Sequence, residues 1–378
     1  MRAQILIRSV FMANLCMSGY AYAQVDPSAT VVTVQGDCAI GNQAIENCFS
    51  SLSDLSVWLG DVRKPNEQSP LAVEIYPGLF QDTVSIQCNP ADGYTGYISF
   101  NGAGNGQTIL KGNMYSAPLH VDSCTGLSFS HLTIQGDFYG GVLWDGGGFS
   151  RWNDVDVIGV ARAWYENRCG SERGNHYWFG SRVQATAAFT LANTYRATCD
   201  ESWFFGSELT AIVPSGASGN GGVLTATEQG IIHAYGSVLR LLVDGPGNIP
   251  AIRVGAIGEP SASVTGGEVH LHGTGIDVIS ETGRNVVAMN ASAHGMIHAN
   301  ASAYNLRTTG SVTRIVNTGG HVSAPYQWDS AAEAPEITSV TGSDIAVVTN
   351  TPDGQPHLVV YSSQCGSGWY DIVEAACR

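Results

Sequence analysis

Between Gly112 and Ala301 the chain repeats one short pattern: two apolar residues flanking a variable one, closed after one further position by glycine or alanine. The rungs are Leu132-Thr133-Ile134-Gln135-Gly136, Val155-Asp156-Val157-Ile158-Gly159, His176-Tyr177-Trp178-Phe179-Gly180 and Ser202-Trp203-Phe204-Phe205-Gly206. They continue as Ile232-His233-Ala234-Tyr235-Gly236, Val269-His270-Leu271-His272-Gly273 and Ile297-His298-Ala299-Asn300-Ala301. Strict alternation over a few residues is the pattern of a strand with one buried face. Counted from Gly112, the small residues are 24, 23, 21, 26, 30, 37 and 28 positions apart, the period of a solenoid coil with loops of varying length.

Aligned rung on rung, the pattern predicts two inward columns: Leu132, Val155, Ile232, Val269 and Ile297, and Ile134, Val157, Phe204, Leu271 and Ala299. The column between them faces water and reads Thr133, Asp156, Tyr177, Trp203, His233, His270, His298. One alternation further on stand Gln135, Ile158, Phe179, Phe205, Tyr235, His272 and Asn300. In a parallel sheet, successive members of a column lie ~4.8 Å apart. Residues dozens apart in sequence thereby become a line of aromatics, imidazoles and acids on one exposed face.

Outside the ladder, Val31 to Val34 alternate as a short strand, and Leu52, Leu55, Leu59 and Val62 fall near helical spacing. A helix there suits a solenoid, whose open end needs a plug over core and strand edge. The expected organisation is a leader over 1–23, an N-terminal cap over 24–70, a β-helix over 71–330 beginning at Val73, and a C-terminal capping segment over 331–378.

The leader carries Arg2 and Arg8, an apolar stretch to Leu15 and Ala21-Tyr22-Ala23 as a cleavage site, which predicts a secreted or periplasmic protein. No later segment is apolar for long enough to insert in a membrane. With Cys16 in the leader, eight of the nine cysteines remain, an even set suited to disulfides. Chain neighbours suggest Cys38 with Cys48, Cys88 with Cys124, Cys169 with Cys199 and Cys365 with Cys377, other pairings staying open. The net charge of −15, with Lys64 and Lys111 the only lysines, argues against a nucleic-acid partner.

The ladder, the leading helix and the runs Val73–Phe80 (VEIYPGLF) and Ile98–Gly112 (ISFNGAGNGQTILKG) resemble the right-handed parallel β-helix proteins of the pectin-lyase-like superfamily, above all the opening coils of pectin methylesterases. The resemblance implies an all-β, single-stranded, right-handed parallel β-helix and a role among polysaccharide lyases, glycoside hydrolases, esterases, tailspikes or adhesins. Pectin methylesterases carry a Gln-Asp pair in one coil and Asp-Phe-Ile-Phe-Gly in the next. A rough register puts Ala161-Arg162 and Ala187-Ala188 at those places, and Gln81-Asp82-Thr83 falls in another coil. The likeness therefore implies the fold rather than the esterase mechanism.

The residues themselves point to chemistry on the outward face. His233, His270 and His298, with Tyr235, His272 and Glu268 beside them, supply an imidazole to take the proton next to a uronate carboxylate and a phenol to protonate the leaving oxygen. Arg240, Arg253 or Arg284 would neutralise the carboxylate. The same column reads equally well as a structural ladder of stacked imidazoles. Three imidazoles and Glu268 are also ligand types for zinc or copper, although a straight column is a poor tetrahedron.

The stretch from Trp144 to Trp203 adds Trp152, Trp164 and Trp178 and the arginines 151, 162, 168, 173 and 182. Exposed aromatics offer faces to sugar rings and arginine forks suit carboxylates, so Tyr177, Trp203, Arg182, Asp156 and His298 are the candidate substrate contacts, whereas Trp178 and Phe204 point inward. Asp154 and Asp156, two residues apart, could form a hydrolytic pair or hold calcium, against a simpler role as a solvated acidic edge. Taken together, the sequence predicts an exported carbohydrate-active protein that cleaves an acidic, uronate-containing polysaccharide by β-elimination, or else a non-catalytic glycan-binding or adhesion protein of the same fold.

Overall fold

The computed structural model describes residues 28–40, 43–113, 116–137, 140–168, 173–186, 191–216, 220–245, 250–255, 266–292, 294–300, 303–318 and 320–323, with strands at 326–328, 345–348, 357–362, 368–371 and 376–377. The expected leader, Cys169 and Cys365 lie outside them. Nearly every described element is a strand, and within 31–323 the long sheets pair in parallel.

Each coil contributes a strand to three sheets in turn. The first sheet runs through Leu71–Ile75, Ile98–Gly102, Asn175–Phe179, Glu201–Phe205, Ile231–Tyr235, Glu268–His272 and Met296–Asn300. The second holds Arg182–Thr186, Glu208–Val213, Val238–Val243, Gly275–Ile279 and Ala303–Arg307. The third runs from Val84–Gln87 through Arg162–Arg168, Leu191–Ala197 and Pro250–Val254 to Val312–Thr318. Two long strands, Leu127–Gln135 and Phe149–Val160, turn the corner and serve both the first and second sheets. Parallel neighbours joined by crossovers take the right-handed sense, giving a right-handed parallel β-helix.

That corner has a residue-level cause. The chain bends there through a left-handed residue, with φ of 55° at Gly180, 55° at Gly206, 53° at Gly236 and 58° at Gly273. Glycine takes this conformation at no steric cost. In the two earlier coils the same corner is made by His131 (φ 54°) and Asp154 (φ 50°), polar types that tolerate it better than most. The glycines that close the Leu132 and Val155 rungs do something else. A Cβ on Gly136 would stand 1.8 Å from the Gly140 carbonyl oxygen, and one on Gly159 1.5 Å from that of Arg162, so they permit a close approach of backbone.

This difference corrects the register expected from sequence. Thr133, Asp156 and Ile158 belong to the second sheet, where Asp156 pairs with Thr133 and Arg182. The true predecessors of Tyr177 in its column are Arg151 and Ser128. Both sets of apolar neighbours are fully buried, which is why the alternation alone could not separate them.

After each glycine corner comes a buried hydroxyl: Ser181, Ser207, Ser237 and Thr274. The Ser181, Ser207 and Ser237 hydroxyls each accept an N–H from the preceding coil, of Val155, Ser181 and Ser207 respectively. This internal ladder satisfies backbone donors that the bend removes from the sheet.

The core is aromatic in its middle coils. Phe100, Phe129, Trp152, Trp178 and Phe204 stack in one inward column at centroid distances of 5.1, 4.2, 4.6 and 5.6 Å. Trp144, Trp164 and Tyr195 fill it from the third sheet. Four of the five tryptophans between Trp144 and Trp203 are thus core, and Trp178 and Phe204 point inward as their parity implies.

At the N-terminal end, Val31–Val34 pairs with Leu71–Ile75, so the first sheet starts one strand before Val73. The helix Leu52–Trp58 begins at Ser51, whose hydroxyl accepts the Asp54 N–H, and buries Leu52, Leu55 and Trp58. Five residues in a wider turn follow, Leu59–Arg63. The disulfides Cys38–Cys48 and Cys88–Cys124 are formed, and Cys199 is disulfide-bonded. Tyr326–Trp328, Ile345–Val348, His357–Ser362, Gly368–Asp371 and Ala376–Cys377 form a separate mixed sheet.

Candidate functional site

On the outer side of the first sheet, Arg151, Tyr177, Trp203, His233, His270 and His298 are consecutive register partners. Their rings lie nearly parallel, with centroids 6.0 Å apart for Tyr177 and Trp203, 4.0 Å for Trp203 and His233, and 4.7 Å for each of the next two steps. Two residues along, ~7 Å away at strand rise, a second stack holds Phe179, Phe205, Tyr235 and His272 at 5.1, 5.3 and 4.6 Å. The Arg151 guanidinium caps it over Phe179.

Stacking along the helix axis has a chemical consequence. Ring faces are spent on neighbouring rings, so the surface displays ring edges, with imidazole nitrogens and the Tyr235 hydroxyl among them. The expectation that Tyr177 and Trp203 offer open faces to sugars is corrected accordingly, because each face between them is covered.

A third line carries the charge. Glu201 and Glu268 stand one alternation before the imidazoles, and their carboxylates bond His233 Nε2 at 2.9 Å and His270 Nε2 at 3.1 Å. His233 is the more enclosed, with its side chain 14% exposed and its Nδ1 buried without a partner. Its position between Trp203 and His270 makes it a poor proton carrier for a ligand. His270, oriented by Glu268 and flanked by His298, is better placed, and Tyr235 and His272 stand beside it in the second stack.

Burial above all holds the His233 imidazole below its ordinary value, against the pull of Glu201 and with His270 and His272 adding to the effect. Burial, then His270 and His321, lowers His298 against a weaker pull from Glu268. A depressed imidazole resists protonation in the folded state while the unfolded chain takes protons up, so its contribution to stability is complete above about pH 6.5 and is lost as pH falls through the folded value. The imidazole contribution to the melting temperature is therefore expected to fall as pH drops from about 7.5 to about 5. Substituting His298→Asn should flatten that fall in a calorimetric pH series, and an unchanged profile would count against the stacked imidazoles as its source.

The remaining sequence candidates lie elsewhere and are already engaged. Arg182 clasps Asp156 with both nitrogens, at 2.9 and 2.6 Å, on the second sheet. Arg240 bonds Glu208 at 2.6 Å and lies 3.6 Å from Asp277. Asp154 takes His131 and the Asn105 amide, so neither it nor Asp156 is open for calcium. Arg253 is on the third sheet. None of these arginines flanks the imidazole column.

Sequence reasoning missed a cluster inside the coil. Ser150, His176 and Asp200 are hydrogen-bonded in series, Oγ to Nδ1 at 2.7 Å and Nε2 to Oδ2 at 3.1 Å. Glu166 lies close to both His176 and Asp200, and the three potential ligand atoms fall within 4.8 Å of one another. The order serine, imidazole, carboxylate is that of an acyl-transfer triad, but Ser150 and His176 are fully buried and the serine oxygen already accepts the Trp152 indole N–H. Glu166 Oε2 accepts the amides of Thr198, Cys199 and Asp200, and Asp200 Oδ1 accepts that of Gly174. With those acceptors taken and no opening to solvent, the cluster is a structural tie between coils. Its sequence signal was parity: His176 stands on the inward side of its rung, with Ser150 and Ser202 in the same column.

No family model matches the chain, and no curated protein sequence matches it. Among solved structures it is similar to a pectin methylesterase from Yersinia enterocolitica, 11% identical over 71% of this chain and 94% of that one, with a TM-score of 0.47. It is also similar to the pectin methylesterase PemA from Erwinia chrysanthemi, 12% identical over 75% and 92%, TM-score 0.45. A third is ORF18 of Geobacillus virus E2, 9% identical over 88% and 74%, TM-score 0.48. The chain's own strand register makes it a right-handed parallel β-helix.

Proposed function

We propose that the protein is an exported carbohydrate-active β-helix that holds a polysaccharide along the first sheet. The observation that supports this reading is the double line of ring edges from Tyr177 to His298 and from Phe179 to His272. Ring edges repeat at the ~4.8 Å spacing of the coils, on the order of one sugar residue, and the polar ones gather toward the C-terminal coils at Tyr235, His270, His272 and His298. Imidazole N–H groups on this face can donate to the carboxylates of an acidic polysaccharide.

A specific observation favours catalysis on the same face. The Glu268 to His270 hydrogen bond orients an imidazole as a base, with Tyr235 in the adjoining stack as the acid. On a uronate, His270 would take the proton beside the carboxylate, the electron pair would form the new carbon–carbon double bond, and the glycosidic oxygen would leave with the Tyr235 proton. His272 would donate a ring N–H to the carboxylate in place of the engaged arginines.

The test is incubation of the full mature chain with pectate, alginate and glycosaminoglycans, following both retention of the protein on the glycan and the ultraviolet absorbance of unsaturated ends. Retention lost in a His272→Ala/His298→Ala double variant supports the binding face. Unsaturated ends that fall ~10²-fold or more in His270→Ala and Tyr235→Phe support the lyase. Retention without cleavage leaves the binding role alone, and no retention on any glycan overturns both.

A further inference from the structure

The third sheet presents a second, unrelated arrangement. Tyr165 and Arg196 are register partners on neighbouring strands. Arg162 stands on the same strand as Tyr165, with both intervening residues, Ala163 and Trp164, fully buried, so the two flanking side chains emerge together. The Arg162 guanidinium carbon lies 4.2 Å from the Tyr165 ring centroid and that of Arg196 5.3 Å from it. Two like charges thus share one ring, and neither has a carboxylate partner among the described residues. Arg196 Nε is, besides, buried without a hydrogen-bond acceptor.

The pairing of two arginines on one ring occurs in a chain of net charge −15. Arg182 and Arg240 are met by the carboxylates of Asp156 and Glu208, whereas Arg63 and Arg173 bond backbone carbonyls and Arg151 lies singly over Phe179. The acids nearest along this sheet are taken, Asp145 by His120 and Glu166 by backbone amides inside the coil. Cation–π contact holds each guanidinium at the Tyr165 ring but does not neutralise it. An orphaned buried donor on a charged group calls for an ion or ligand that completes it.

We infer that Arg162 and Arg196, set around Tyr165, form a binding site for a tetrahedral oxyanion, the phosphate or sulfate ester of an anionic polymer. Two forks of fixed geometry match the oxygens of such a group and supply two positive charges for it. The site lies on a different sheet from the ring-lined face and is independent of what that face does. It gives the protein a second attachment point, so that one polyanion could be held while another is engaged on the first sheet.

The probe is inorganic phosphate, titrated into the full chain at constant ionic strength with chloride as the reference, and read by thermal shift and calorimetry. A ligand of the folded state alone raises the melting temperature in a saturable way. Phosphate should do so and chloride should not. Arg162→Gln should weaken the response at least tenfold and Arg196→Gln should abolish it, while Arg284→Gln responds as wild type. Arg196 is the one with a buried Nε, so the Arg162 variant remains informative if Arg196→Gln fails to fold. An equal rise with chloride, or a wild-type response in Arg162→Gln, overturns the assignment. A sulfated and a phosphorylated oligosaccharide then compete for the site: the one that displaces phosphate names the carrier, and displacement by neither overturns the polymer-borne group.

Discussion

Replacing Asp200 by alanine is expected to cost about 2–6 kcal/mol, the scale for leaving two buried donors unsatisfied at ~1–3 kcal/mol each. That is a large part of the ~5–15 kcal/mol that holds a typical domain together. Asp200 is 2% exposed and accepts two donors, His176 Nε2 and the Gly174 amide, which would be left in the core without an acceptor. Relief of its repulsion on Glu166 offsets only part of this. The Asp200→Asn variant keeps one acceptor oxygen and should lose ~1–3 kcal/mol, the range for one unsatisfied buried group. Urea midpoints of the two variants check the order, and an alanine variant within ~1 kcal/mol of wild type would remove the cluster from any account of stability.

Glu166 supplies the pH signature of the same tie. Burial first, and Asp200 second, raise its carboxyl above the ordinary carboxylate range, with His176 and the Thr198 and Cys199 amides pulling the other way. A raised acid binds more protons folded than unfolded, so its contribution is complete below about pH 4.5 and declines as pH rises through the folded value. The sign is opposite to that of His233 and His298. The two effects therefore bound stability from both sides, with the imidazoles limiting it in acid and Glu166 eroding it toward neutrality.

The alternation that places Tyr177, Trp203, His233, His270 and His298 outside and Trp178, Phe204 and Leu271 inside is a local property, two residues per repeat, and it could be read from the chain without knowing what pairs with what. Register is not local. In the coils of His131 and Asp154 a non-glycine residue makes the corner, so the visible glycine of those rungs marks a different bend, and Asp156 was assigned to the wrong sheet. Once the corner is recognised, the dipeptides Gly180-Ser181, Gly206-Ser207, Gly236-Ser237 and Gly273-Thr274 stand out as one motif, and the charges Asp156, Arg182 and Glu208 fall at equal intervals as register partners. The Glu166, His176, Asp200 group depends on strands of two sheets and the bend before a third strand, and on parity at a histidine that a sequence reader takes for surface. Stacking geometry was equally hidden: spacing shows that rings are neighbours, but whether they offer faces or edges depends on side-chain torsions.

Trp178→Ala carries the second large expectation and links core to surface. Trp178 is fully buried, stacked between Trp152 and Phe204 and met edge-on by Trp164 and Tyr195 at 5.3 and 5.7 Å. Truncation of such a side chain costs ~3–5 kcal/mol, transfer and cavity terms together. Its closely packed neighbours are flat rings with few rotamers, so they collapse poorly into the space and the cost should fall in the upper part of that range. Trp178 also sits between Tyr177 and Phe179, the first rings of the two outer stacks on this strand. A backbone that sinks toward the cavity pulls both out of line with Trp203 and Phe205, so glycan retention should fall along with the urea midpoint. Trp178→Phe keeps a ring in the column and is expected to lose less than half as much stability and to retain the glycan. If the alanine variant instead binds as wild type while clearly destabilised, the outer stacks hold their own alignment and the core does not position them.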